Sequence, residues 1–195
     1  MKLRLFLLCL GLFALGQARA ENTIRVLMTT GLGEIELELY PDKAPLTVAN
    51  FMRYVDRGFY EGGVFHRTVT PDNQPQNKIR IEVIQGGINP DKEQNGGPPI
   101  TLERTDETGL KHLDGTISMA RLEPDSATSD FFICINDQPE LDFGGKRNPD
   151  GQGFAAFGQV VRGLDVVKSI QRAPHEIQVL TPPIIIQSIR RRCTD

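Results

Sequence analysis

Between residues 64 and 135 the chain is cut repeatedly by turn residues into short apolar or β-branched runs: Val64-Phe65, Ile79 to Ile84, Ile100-Thr101-Leu102, Thr116 to Ala120 and Phe131 to Ile135. Many short strands punctuated by Gly and Pro predict a mainly β architecture, either a sandwich or a barrel. The punctuation comes from 19 Gly and 13 Pro, a proportion below that of disordered or collagen-like chains. Upstream, Ile24 to Met28 leads through Thr29-Thr30-Gly31-Leu32-Gly33 into Glu34-Ile35-Glu36-Leu37-Glu38-Leu39. The strict alternation gives one apolar and one acidic face, so the segment reads as a hairpin. With nothing else converging on the three glutamates, they read as a solvated sheet face and not as a metal site.

Two segments break this pattern with helical spacing. Residues 46–58 carry Val48, Phe51, Met52 and Val55 on one face, and Gly58 is placed to end the helix. A second helix is predicted from about Asp165, with Val166, Val167 and Ile170 on one side and Pro174 as terminator; Ile184 to Ile189 then supplies a last strand. Pro71 to Lys78 and Phe143 to Gly153 are polar, aperiodic and rich in turn residues, and read as loop insertions. The second lacks the Gly-Lys-Ser/Thr ending of a phosphate-cradling loop. With no internal repeat and no linker, the 195 residues are expected to form one domain after a leader.

That leader is residues 1–20. Lys2 and Arg4 precede an apolar run from Leu5 to Leu15, and Ala18-Arg19-Ala20 fits a secretory cleavage site, leaving residues 21–195 as the mature domain. Removing Lys2, Arg4 and Arg19 takes the net charge from -3 to -6. No basic field remains to attract nucleic acid, and no other stretch is long and apolar enough to span a membrane. The expected location is therefore secreted or periplasmic. Of the cysteines left, Cys134 sits in an apolar run and reads as a buried thiol; pairing with Cys193 is possible in an oxidising space but has no specific sequence support. His66, His112 and His175 are dispersed, so neither a metal site nor a hydrolase is visible along the chain, although folding could bring one histidine beside a serine and a carboxylate.

Phe65-His66-Arg67, Ile84-Gln85-Gly86-Gly87, Gly115 to Ala120, Phe131-Phe132-Ile133, Leu141-Asp142 and Phe157 to Val167 occur in this order. Together they resemble the cyclophilin-type peptidyl-prolyl isomerases over most of residues 23–190. The resemblance implies a closed eight-stranded antiparallel barrel capped by two α-helices. It also implies catalysis of rotation about Xaa-Pro bonds in proline-containing or unfolded polypeptides, by a monomer needing no cofactor and no metal. Arg67 would be the catalytic arginine and Gln85 the amide that binds the substrate backbone and helps hold it. Phe132 would floor the proline pocket, with Val83, Leu141 and Phe154 lining it, and Ala120, Arg121 and Asp130 would lie along the substrate edge. His66 reads as a buried structural histidine.

The chain departs from the family pattern in several places. Glu82-Val83 stands where Phe-Met is usual, Asp130 replaces a glutamine, Arg121 replaces an asparagine, and Glu140 replaces the Trp of many eukaryotic members, which argues against tight cyclosporin binding. If Glu82 or Asp130 paired with Arg67, the barrel would serve instead as a catalytically weak binding module for proline peptides.

Overall fold

The computed structural model describes residues 22–192. The leader at 1–20 and Cys193 lie outside them.

The predicted hairpin forms from β1 (Ile24–Thr30) and β2 (Gly33–Leu39), with Ile35, Leu37 and Leu39 inward. Next come α1 (Pro45–Asp56), β3 (Gly63–Val69) and β4 (Val83–Gly87), followed by a one-turn helix α2 (Thr105–Thr108). The chain continues through β5 (Thr116–Met119), β6 (Phe131–Cys134), β7 (Ala155–Arg162) and α3 (Leu164–Gln171), and ends in β8 (His175–Glu176) and β9 (Val179–Arg191). Eight strands pair in the order β1-β2-β7-β5-β6-β4-β3-β9, and β9 returns to β1, so the antiparallel barrel closes; β8 is a short appendage on β9. Closure removes the unpaired edges that invite aggregation.

The expectation of two capping helices is met by α1 and α3, with α2 as an added turn. The chain enters α1 from the far end of β2 and leaves it for the start of β3. At the opposite rim, a Val166 methyl lies against Gly33, and Thr68 Oγ1 donates to Gln171 O. Both helices send apolar residues, among them Val48, Phe51 and Met52 from α1 and Val167 and Ile170 from α3, into one continuous core. Ala44 has no side chain to cap α1, and Glu103 takes its place by accepting from the backbone N–H groups of Leu46 and Thr47 at 3.0 and 2.7 Å. A carboxylate there also complements the helix dipole.

Phe131 is the hub of the barrel core. Its ring meets Phe51, Tyr60 and Phe65 edge-on, with centroids 5.5 to 5.8 Å apart, and such pairs add about 0.5–1.5 kcal/mol each beyond area burial. On the outside of β2, Glu34, Glu36 and Glu38 pair with Arg25, Arg162 and Arg192, so the acidic face is neutralised by neighbouring strands.

Two predicted strands are corrected. Ile79 to Ile84 is extended only from Val83, because the backbone of Ile79 and Ile81 is engaged by side chains: Arg147 Nη1 donates to Ile79 O, and Gln74 both donates to Ile81 O and accepts from Ile81 N. Ile100 to Leu102 makes a single bridge, Ile100 to Ala127, after which the Asp125 side chain takes the Leu102 N–H.

Candidate active site

The strands β3, β4, β6 and β5 lie side by side, and alternation sends every second residue away from the core. One irregularity makes the site. In β3, Phe65 faces the core opposite Gly86, whereas Arg67 is already opposite Gln85, so His66 is an extra, bulged residue. Without the bulge, Arg67 would share the inward face of Phe65. With it, Arg67 and Val69 turn outward, a common use of bulges beside functional sites.

The outer face of these four strands carries Arg67, Val69, Val83, Gln85, Ser118, Ala120, Phe132 and Cys134. Five of the apolar side chains, Val69, Val83, Ala120, Phe132 and Cys134, join Ile81, Leu141 and Phe154 in a second apolar cluster, separate from the barrel core. Sequence alternation leaves open which phenylalanine faces out, and the structure assigns it: Phe131 is core and Phe132 lies beneath the groove. Phe154 meets Phe132 edge-on at 5.3 Å and 87°. Together with Arg67, Ile81, Val83, Gln85, Ala120, Leu141 and Arg147, these rings line a cavity of about 260 Å³. A wider cleft of about 410 Å³ between α1 and residues 99–101 has no comparable convergence of polar groups on an apolar floor.

At the groove wall, Arg67 Nη1 donates to Gln85 Oε1 at 2.9 Å, while Nε and Nη2 donate to Gln178 Oε1 at 2.9 and 2.7 Å. Gln178 in turn donates to Asn73 O at 3.1 Å, and Gln85 Nε2 donates to Asp130 Oδ2 at 3.3 Å. The guanidinium is thus clamped between two neutral amides. Three of its five N–H groups are used, leaving one on each Nη for a ligand. Burial lowers the Arg67 pKa, but the group remains charged at any ordinary pH.

Neither substituted acid contacts Arg67 among the described residues. Glu82 accepts from Asn136 Nδ2 at 2.9 Å, and Asp130 accepts from Gln85 with His66 Nε2 3.7 Å from the same oxygen. Burial raises the Asp130 pKa, opposed by the charge of His66 and the bond from Gln85. A Cβ on Gly87 would press on the Asp130 carboxylate, so in this chain the glycine lets that side chain lie close against β4.

His66 corrects the expectation of a buried histidine. It is the bulged residue, with a side chain 40% exposed. The buried one is His112, 1% exposed, stacked beside Phe132 at 5.8 Å and 15°. Its Nδ1 is 2.8 Å from Asp142 Oδ1 and its Nε2 is 3.0 Å from Ser118 Oγ. Folding therefore does assemble a Ser-His-Asp line from dispersed residues. Ser118 is 0% exposed, which leaves no access for a scissile bond, and the line serves as a strut under Phe132. Arg121 is also a prop: its guanidinium donates to Gly153 O and Leu122 O, makes a two-point pair with Asp150 and lies over the Phe154 ring. Motif reasoning missed Gln178, Arg147 and Asn148, which lie outside the matching segments.

A profile described as "Cyclophilin type peptidyl-prolyl cis-trans isomerase/CLD" matches residues 25–191. The chain belongs to the cyclophilin family of peptidyl-prolyl cis-trans isomerases. It is 41% identical over 178 residues to peptidyl-prolyl cis-trans isomerase A of Dickeya dadantii, covering 88% of this chain and 86% of that one. It is 36% identical to peptidyl-prolyl cis-trans isomerase B of Escherichia coli, covering 82% and 94% of the two chains. A solved cyclophilin of Cryptosporidium parvum, in the presence of the dipeptide Ala-Pro, shares the fold with a TM-score of 0.69 at 23% identity, covering 87% of this chain and 99% of its own. Among the described residues of this cyclophilin there is no group of three His, Cys, Asp or Glu side chains able to hold a metal, and no helix long and apolar enough to cross a membrane.

Proposed function

We propose that this cyclophilin is an exported folding catalyst that seats the proline of an unfolded client on Phe132 and drives Xaa-Pro rotation with Arg67. The observation that carries the reading is the clamp of Gln85 and Gln178, which holds the guanidinium beside an apolar pocket with two N–H groups free. Resonance sets the rotational barrier at about 18–20 kcal/mol. In the twisted state the prolyl nitrogen recovers its lone pair, and a donor fixed at that point binds this state but not the planar ones. A charge-assisted bond of about 1.5–3 kcal/mol accelerates rotation by about ten- to a hundredfold. Burial of the ring against Phe132, Leu141 and Phe154 strips water from the amide and adds to this. Gln85 fixes the guanidinium and offers its amide to the client backbone.

The extracytoplasmic assignment rests on Lys2, Arg4, the apolar run and Ala18-Arg19-Ala20, and the folding role follows from that location. The experiment is expression of the full chain in a Gram-negative host, fractionation and mass measurement, with the periplasmic protein then added to refolding of a protein limited by prolyl isomerisation. Export is supported by a periplasmic species beginning at Glu21, and the folding role by acceleration of the slow refolding phase. An uncleaved protein retained in the cytoplasm overturns the first, and an unchanged slow phase the second.

A further inference from the structure

The loop entering β7 brings a second guanidinium to the groove. Arg147 lines the same cavity as Arg67 and donates from Nη1 to Gln74 Oε1 at 3.0 Å and to Ile79 O at 2.7 Å, so the two polar insertions dock on each other beside the site. Both acceptors are neutral, as are the two amides that hold Arg67. Among the described residues no carboxylate pairs with either arginine. Arg121, in contrast, is matched by Asp150, and the nearby acids Asp130 and Glu82 are directed to Gln85 and Asn136. Burial and the charge of Arg67 both lower the Arg147 pKa, as two cations in a partly dehydrated space require. Next to Arg147, Asn148 Nδ2 is buried at the cavity wall with no acceptor.

In a chain of net charge -3, this groove is therefore a local excess of positive charge with an unused donor. The missing complement is an anion held near the proline. We propose that Arg147, assisted by Asn148, makes this cyclophilin select clients with a carboxylate side chain flanking the proline. The inference rests on the groove being the Xaa-Pro site. Arg147 does not act on the rotating bond. It relieves its own repulsion from Arg67 by binding the flanking acid, and so sets which prolines are held.

The test is exchange NMR on two peptide series, Ala-Xaa-Pro-Ala and Ala-Ala-Pro-Xaa, with Xaa as Glu, Gln or Lys, using wild type, Arg147→Gln and Arg147→Lys. The expected result is a Glu preference over Gln of about three- to tenfold in kcat/KM in at least one series, with Lys below Gln. In Arg147→Gln the Glu/Gln ratio falls to about one, Arg147→Lys keeps part of it, and added salt weakens it in wild type. Because each ratio is taken within one protein, a general loss of fold or activity cancels. Acceleration of all wild-type peptides with a Glu/Gln ratio near one in both series overturns this inference alone, as does a ratio unchanged in Arg147→Gln. Failure to accelerate any peptide overturns the reading of the groove itself.

Discussion

Arg67 is held by amides where an ion pair would be the commoner partner, and this choice keeps its charge available. A carboxylate in the same place would draw the guanidinium's donors toward itself and weaken the pull on the prolyl nitrogen that we propose for them. Gln178 supplies the acceptor for two of the three side-chain bonds, so Gln178→Leu is expected to lower kcat/KM by about tenfold, mainly through kcat, because the planar substrate does not use the bond that is misaligned. Gln178→Glu keeps the shape but adds the competing charge. Steady-state kinetics of both variants checks this, and unchanged kcat in both would remove Gln178 from the positioning machinery. Arg67 and Gln85 were legible because they sit in short motifs. Gln178 was not, since it lies 111 residues from Arg67 in a turn where Ile177 adopts a left-handed φ of 55°, and no local pattern announces such a partner.

At the scale of elements, β6 divides two functions between adjacent residues. Phe131 packs against three aromatic rings in the closed core, whereas Phe132 faces the groove. Phe131→Ala is expected to cost about 3–5 kcal/mol of stability in chemical denaturation. Phe132→Ala should cost less, because one side of the ring meets the open groove, and should instead raise KM for proline peptides. Equal losses of stability in the two variants would contradict this division. The sequence shows that strands and helices alternate with turns, but it does not show where side chains capture backbone groups. Gln74 and Arg147 hold the backbone at Ile79 and Ile81 that a longer β4 would need, which is why the predicted strand shortens while the inserted loops become part of the site. The bulge at His66 was equally hidden: Phe-His-Arg names the arginine, but only pairing with β4 shows which way it turns.

For the whole molecule, the buried strut behind the pocket links stability to pH. Burial lowers the His112 pKa, outweighing the favourable contact with Asp142, so the unfolded chain binds this proton more readily than the folded one. Stability is therefore expected to decline as pH falls below about 6.5, the ordinary histidine value. Burial would raise the Asp142 pKa, but the hydrogen bonds from His112 outweigh it and hold the carboxyl low, so its contribution is present above about pH 4 and lost below. Thermal melts from pH 7 to pH 3 should show both declines, and an NMR titration of His112 with a midpoint at or above 6.5 would contradict the first. The strands and the two helices follow from alternation and helical spacing, whereas the closed barrel and the groove's apolar lining follow from the family resemblance of the motifs. The charge balance of the groove emerges only when loops distant in sequence meet.

Arg67 is the donor that we propose stabilises the twisted imide. The most direct test is exchange NMR of an Xaa-Pro peptide with wild type, Arg67→Ala and Arg67→Lys, after circular dichroism has shown that all three are folded. The predicted result is rapid catalysed exchange in wild type, a loss of about ten- to a hundredfold in Arg67→Ala, and only partial rescue by a lysine that cannot be held by Gln85 and Gln178 together. Exchange by folded Arg67→Ala at the wild-type rate would contradict it.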